Sequence, residues 1–174
     1  MLPWIQRFSL DRRNHRDLIV NLEIFVNDAL GAYIEIHNVI FRDAYTHWSF
    51  LKNVFGRGVP MARLLAESER LLPLWDDVYD QTVTLRQSSY SSFSGEEQRL
   101  FDLLSRYVDA VRFTVMALVD RQRLMDQGAK SASWVTWKNW KALQQKEMIY
   151  KKAIEHYMAI GGELNAASRM LGIA

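Results

Sequence analysis

Apolar residues recur at steps of three and four along most of this chain. One stripe joins Leu18, Leu22, Phe25, Ala29, Tyr33, Ile36, Ile40, Ala44, Trp48, Leu51 and Phe55. That spacing follows the turn of an α-helix and predicts a first long segment over 17–55. The opposite stripe, Asp17, Asn21, Asp28, Glu35, Asn38, Arg42, Ser49 and Lys52, is polar. Ile19, Val20, Ile24, Leu30, Ile34 and Phe41 widen the apolar surface, so the helix should touch neighbours on more than one side. Gly31 is its weak point, costing about 1 kcal/mol relative to Ala in a helix interior. Unbroken, the helix would be roughly 55–60 Å long at about 1.5 Å per residue.

Gly56-Arg57-Gly58-Val59-Pro60 reads as stop, turn and restart, with Pro suited to a first helical position. A second segment over 61–86 puts Leu64, Leu71, Trp75, Val78 and Leu85 on one face. Pro73 lies inside it and predicts a kink or break near Leu72. Residues 87–95 hold five Ser and no charge, and read as the longest loop. Ser94 with Glu97 forms a capping box that opens a third segment. Its stripe is Leu100, Leu104, Tyr107, Val111, Val115 and Leu118, backed by a solvated face of mixed charge, and Gly128 should end it. A fourth segment starts near Ser131 or Ser133 and reaches Ile160, where Gly161-Gly162 should stop it. A short last helix then covers 163–171. No strand-like alternation and no repeat interrupt this pattern. The expected fold is all-α: an antiparallel bundle of about four long helices plus a short C-terminal helix, in one domain over 1–174.

Composition sharpens the picture. With 174 residues, 49% hydrophobic and carrying 6 Trp, 7 Tyr and 8 Phe, the chain must bury most of its rings, which excludes disorder. Net charge is only +2, with residues 61–94 at −2 and 131–174 at +3, so a strongly basic nucleic-acid binder is not indicated. The absence of Cys removes disulfides, thiolate-bound zinc, iron–sulfur clusters and thiol catalysis, and is compatible with a reducing cytoplasm. Residues 1–10 are too interrupted for a signal peptide, and no run of about 20 apolar residues spans a membrane. A cytoplasmic location is expected.

Candidate chemistry is sparse. Of the four His (His15, His37, His47 and His156), none follows a Glu by three residues, and no His-Glu-x-x-His occurs. Neither a metal site nor a cofactor is expected. Phosphate-binding glycine loops and nucleophile elbows are missing too. His37, between Ile34 and Phe41 on the helical face, reads as a partly buried, hydrogen-bonded histidine. His47 stands one turn after Asp43 and reads as a local ion pair.

Three local patterns carry the remaining functional signal. Arg42-Asp43-Ala44-Tyr45-Thr46-His47 resembles the Arg-x4–6-His motif of HEPN-domain ribonucleases, which are all-α, usually dimeric and metal-independent. The resemblance implies that Arg42 stabilises phosphate charge while His47 helps activate a ribose 2′-hydroxyl. In a straight helix the two side chains point about 140° apart, so convergence needs a break. Next, residues 162–173, from Gly162 through Ala167-Ser168 to Leu171-Gly172-Ile173, resemble the first half of a Fis-type helix-turn-helix. The chain ends at Ala174, before any recognition helix, so no residue is assigned base contacts. A remnant, a truncated motif and a short capping helix all fit. Lastly, Trp134, Trp137 and Trp140 interleave with Lys138 and Lys141, ahead of Lys146, Lys151 and Lys152. Such a segment can pack in a core, meet a protein partner, or stack bases and lie on anionic surfaces.

The sequence therefore points first to a non-enzymatic interaction or regulatory protein working through a homodimer or partner interface. A HEPN-like ribonuclease using Arg42 and His47, and nucleic-acid association through 134–152, stand as alternatives.

Overall fold

The computed structural model describes residues 15–44, 61–129 and 137–172. Its helices are α1 (His15–Ala44), α2 (Met61–Glu69), α3 (Leu71–Ser89), α4 (Gly95–Ala129) and α5 (Trp137–Met170). A single 3₁₀ turn, Tyr90–Ser92, links α3 to α4. No strand occurs among the described residues. The continuation of the first segment over 45–55, the turn at 56–60 and the start near Ser131 or Ser133 lie outside them.

Cross-helix partners fix the directions. Between the α2–α3 rod and α4, Glu69 pairs with Arg123, Asp76 with Arg112 and Arg86 with Asp102. Between α4 and α5, Asp120 pairs with Lys146 and Arg106 with Glu163. Between α1 and α5, Arg16 reaches Leu171, Glu23 meets Ser168 and Tyr33 meets Tyr150. In every case one number climbs as the other falls, so neighbouring rods run antiparallel. With α1 also lying beside α3, the rods form an up-down-up-down bundle in which α4 touches all the others.

The core follows the apolar rhythm. Leu100, Leu104, Tyr107, Val111, Val115 and Leu118 of α4 are all buried, joined by Phe101 and Val108. They meet Ile19, Leu22, Val26 and Tyr33 of α1 and Trp75 and Val78 of α3 in one apolar cluster. Truncating any one of the large members to Ala removes about 2–5 kcal/mol by the usual cavity relation.

The boundaries show which local rules prevailed. The break in the second segment falls at Arg70, three residues before Pro73. A proline lacks the N–H that would bond to the carbonyl four residues back, here Glu69, and its ring crowds that carbonyl. The expected loop at 87–95 is shorter than its serines suggested, because α3 runs on to Ser89 and the 3₁₀ turn follows. Ser92 Oγ donates to the Ser89 carbonyl at 2.6 Å, and Phe93 is buried beneath. Hydroxyls bonding to their own backbone hold a compact turn where the longest loop was expected. The capping box forms: the Ser94 amide donates to Glu97 Oε2 at 2.8 Å, and the Glu97 amide to Ser94 Oγ at 3.3 Å.

The larger correction concerns Gly161-Gly162, which do not stop the helix. Helix α5 passes through them to Met170, so the separate C-terminal helix over 163–171 is its last stretch. Gly161 lies against the Tyr107 ring, and a Cβ there would sit 3.0 Å from ring carbon Cε2. This glycine serves close approach of α4 and α5 rather than termination. The stop comes at Gly172, whose φ of +61° is the left-handed conformation that glycine adopts without strain. Residues 162–170 are thus the last turns of a long rod, and the turn at Gly172 follows them.

Candidate functional site

Two regions concentrate polar or apolar groups where a plain bundle does not require them. The first is internal, where the C-terminal half of α1 meets α4 and the N-terminal half of α5. The helical rhythm that buries Tyr33 also turns His37 and Phe41 inward, one and two turns along. The Tyr33 and Tyr150 hydroxyls are 2.8 Å apart, and the Tyr150 hydroxyl is 2.6 Å from His37 Nδ1. Phe41 stacks on both, with centroids 4.6 Å from His37 and 5.5 Å from Tyr150. Arg121 of α4 places its guanidinium 5.0 Å above the Phe41 ring and ion-pairs with Glu147 of α5. Arg121 Nη1 and both amide atoms of buried Gln122 find no hydrogen-bond partner among the described residues.

Burial sets the protonation of this group. It pushes the Tyr33 and Tyr150 phenols well above their usual range, and the Tyr107 phenol up to about 12. Burial, and then the nearby Arg121 charge, hold His37 below the ordinary imidazole value. Near neutral pH the two phenols and the imidazole are therefore uncharged, and Arg121 and Glu147 offset one another. The arrangement links α1 to α5 through neutral hydrogen bonds. It presents no activated nucleophile, and no group of three or more potential metal ligands occurs among the described residues.

The second region is the outer surface. Ile24, Ile34 and Val39 of α1, Phe113 and Met116 of α4, and Trp140, Met148, Ile149 and Met158 of α5 are all exposed. Among the described residues no large apolar side chain of α2 or α3 is similarly exposed. Between α4 and α5 lies a shallow groove. Phe113 stands in it with Ala110 and Ile160, rimmed by Arg106, Asp109 and His156. The Asp120–Lys146 pair bridges the same two helices about two turns along α4 from Phe113, and the Arg106–Glu163 pair bridges them in the other direction. Met116 and Ile149 are exposed one helical turn from Asp120 and Lys146 respectively. An apolar centre with a charged rim is the anatomy of a binding patch.

Charge divides this surface. From Asp17 to Phe41, α1 carries four acidic residues and no Lys or Arg. From Lys138 to Lys152, α5 carries five Lys against the single acid Glu147, whose carboxylate is turned toward Arg121.

The residues singled out from sequence are distributed as follows. Trp140 and Lys141 are exposed on the outer side of α5. Trp134, the side chains of Trp137 and Lys138, the Arg42 side chain and His47 lie outside the described residues. His37 is partly buried and hydrogen-bonded, as its position implied. His156 borders the groove. Sequence reasoning overlooked Arg121, Gln122 and Asp126, which looked like solvated helix residues yet are buried. A signal was present: Gln122 extends the Val111–Val115–Leu118 stripe by one more turn.

No protein-family model, curated protein or solved structure matches the chain. No helix among the described residues is long and apolar enough to cross a membrane.

Proposed function

We propose that this chain is a non-enzymatic interaction protein, working through a dimer or partner interface on the outer faces of α1, α4 and α5. One observation carries the reading: exposed large apolar side chains crowd three rods and spare the fourth. Solvent-facing apolar residues scattered at random need no explanation, whereas a one-sided concentration marks a contact surface. The core does not need these side chains, because α4 already fills it with buried residues from end to end.

The test is site-specific photocrosslinking in the cells that make the protein. A photoreactive residue replacing Ile24, Phe113 or Trp140 should yield covalent adducts. The same residue replacing Thr84, exposed on α3, should yield none. Absence of adducts at all of the first three positions would overturn the proposal.

The lysines of α5 favour a second reading, contact with a nucleic-acid backbone. Trp140 and Lys141 stand together on its exposed side. This reading ranks lower because Lys146 and Lys151 already lie near Asp120 and Glu147. It predicts affinity for single-stranded oligonucleotides that falls steeply with salt. A flat salt response counts against it.

A further inference from the structure

We infer that the Tyr33–Tyr150–His37 chain is a pH-sensitive latch: it holds the C-terminal half of α1 against α5 near neutral pH and lets that half open more often once His37 takes up a second ring proton. The latch does not depend on the interaction reading. Helix α1 lies beside α3 and α4, whereas its backbone seldom comes near that of α5. Long side chains bridge that seam instead. At one end Arg16 reaches the Leu171 and Gly172 carbonyls, and Glu23 meets Ser168 at 3.4 Å. At the other stand Tyr33, His37 and Tyr150, with Phe41 stacked on the last two.

Counting protons shows why one more disturbs this end. Each phenol has a single proton to give, and a neutral imidazole a single N–H. With that N–H on Nε2, Tyr33 donates to Tyr150 and Tyr150 donates to His37 Nδ1. Each of the two contacts, 2.8 Å and 2.6 Å, then has one donor and one acceptor. A second ring proton has to sit on Nδ1. There it donates to the Tyr150 oxygen, so the Tyr150 proton must swing to Tyr33. Tyr33 is only 1% exposed, so its own proton needs a protein acceptor. Among the described residues, the hydroxyl of its ring neighbour Tyr157 is the one at hand. Charging the imidazole therefore realigns two phenols in a packed interior.

The groups facing His37 oppose a second positive charge. From α4, Arg121 holds its guanidinium 5.0 Å over Phe41, and Phe41 in turn stacks on the imidazole at 4.6 Å. From α5 come the neutral Tyr150 and the acid Glu147, whose carboxylate is engaged by Arg121. From α1 itself comes Tyr33, its ring tilted against the imidazole at 5.8 Å. Burial first and the Arg121 charge second hold the imidazole below its ordinary value. An opened His37 regains that value. Opening therefore becomes easier as pH falls below 6.5 and levels off below the closed-state value. The far end of the seam responds in the other direction. Burial raises the Glu23 carboxyl above its usual range, more than its Ser168 bond lowers it. Acid discharges Glu23 and steadies that end, so the two halves of α1 carry opposite signs.

The experiment is amide hydrogen exchange on the full chain, read as protection factors at about pH 7 and about pH 5. Protection over residues 33–41 should fall about threefold or more at the lower pH, relative to protection over 18–26. In His37→Gln, a neutral side chain of similar reach, the ratio of the two stretches should not change with pH. A wild-type ratio that ignores pH overturns the inference, as does a His37→Gln chain that keeps the wild-type dependence. A second measurement needs no variant. Nitrogen chemical shifts of the His37 ring should place its proton on Nε2 at neutral pH, and the ring should titrate together with the loss of protection. A neutral ring protonated on Nδ1, or a titration that leaves protection unchanged, overturns the latch as well.

Discussion

The two ends of this bundle are built by different means. At the end where α3 turns into α4, the interior is Leu85, Phe93, Leu100, Phe101 and Leu104. Phe93 meets Phe101 edge-on at 5.7 Å, and the buried hydroxyl of Thr82 is spent on its own helix through the Val78 carbonyl. At the opposite end, where α4 finishes and α5 begins, Arg121, Gln122 and Asp126 are buried alongside the Tyr33–Tyr150–His37 chain. Packing fixes the first end and directional bonds fix the second. Apolar packing fails by degrees as volume is removed. A polar interior fails sharply when one partner is lost, and is weakened by any group left unpaired.

The largest effect should come from the apolar end. Phe101→Ala opens a cavity at a fully buried ring and should cost about 3–5 kcal/mol in urea unfolding. A cost below about 1 kcal/mol would show that this end is loosely packed. Next comes Glu147→Gln, which strands a buried guanidinium. We expect a loss of about 2 kcal/mol, less than for a fully enclosed pair because Glu147 stays a quarter exposed. Replacing both partners, as Arg121→Met with Glu147→Leu, should cost less than either single change. If the double variant instead suffers the sum of the two, the pair is not coupled.

Gln122→Met should act in the opposite direction. Its amide has no partner among the described residues, so an apolar residue of similar length should stabilise the fold by about 1 kcal/mol, visible as a higher melting temperature. A lower melting temperature would mean that ordered water already satisfies the amide. The smallest effect is a pH slope. His37 has a folded-state pKa below its ordinary 6.5, so the unfolded chain binds the proton more readily. The contribution is fully present above that value and is lost as pH falls below it, toward the folded-state pKa. His37→Gln should flatten melting temperature against pH in that window, and an unchanged slope would assign it to another group.

The bundle was legible because apolar residues on α1 and α4 keep helical spacing over many turns, and no tertiary demand opposes it. Pro73 and the Ser94–Glu97 box acted through bonds to residues three or four positions away, so sequence alone placed them well. Gly161 misled because its reason is a ring 54 positions away, Tyr107, which no local rule contains. The buried polar end was missed for the same reason. Arg121 and Gln122 resemble surface residues until α1 and α5 close over them. The outer apolar surface was legible in part: Ile24 and Ile34 were surplus to one stripe, and Trp140 stood among lysines, but which rods shared a side depended on their order in space.

Arg16 lies one residue into α1, and its Nη2 donates to the carbonyls of Leu171 (2.8 Å) and Gly172 (2.7 Å), just past the end of α5. The guanidinium there also meets the negative pole of that helix. The first and last described turns are thus clasped together at one corner of the molecule. Because α1 and α5 run in opposite directions from that corner, tension applied to the two ends would peel them apart like a zipper, turn by turn. The clasp would yield first, and the tyrosine pair further along would bear the load next.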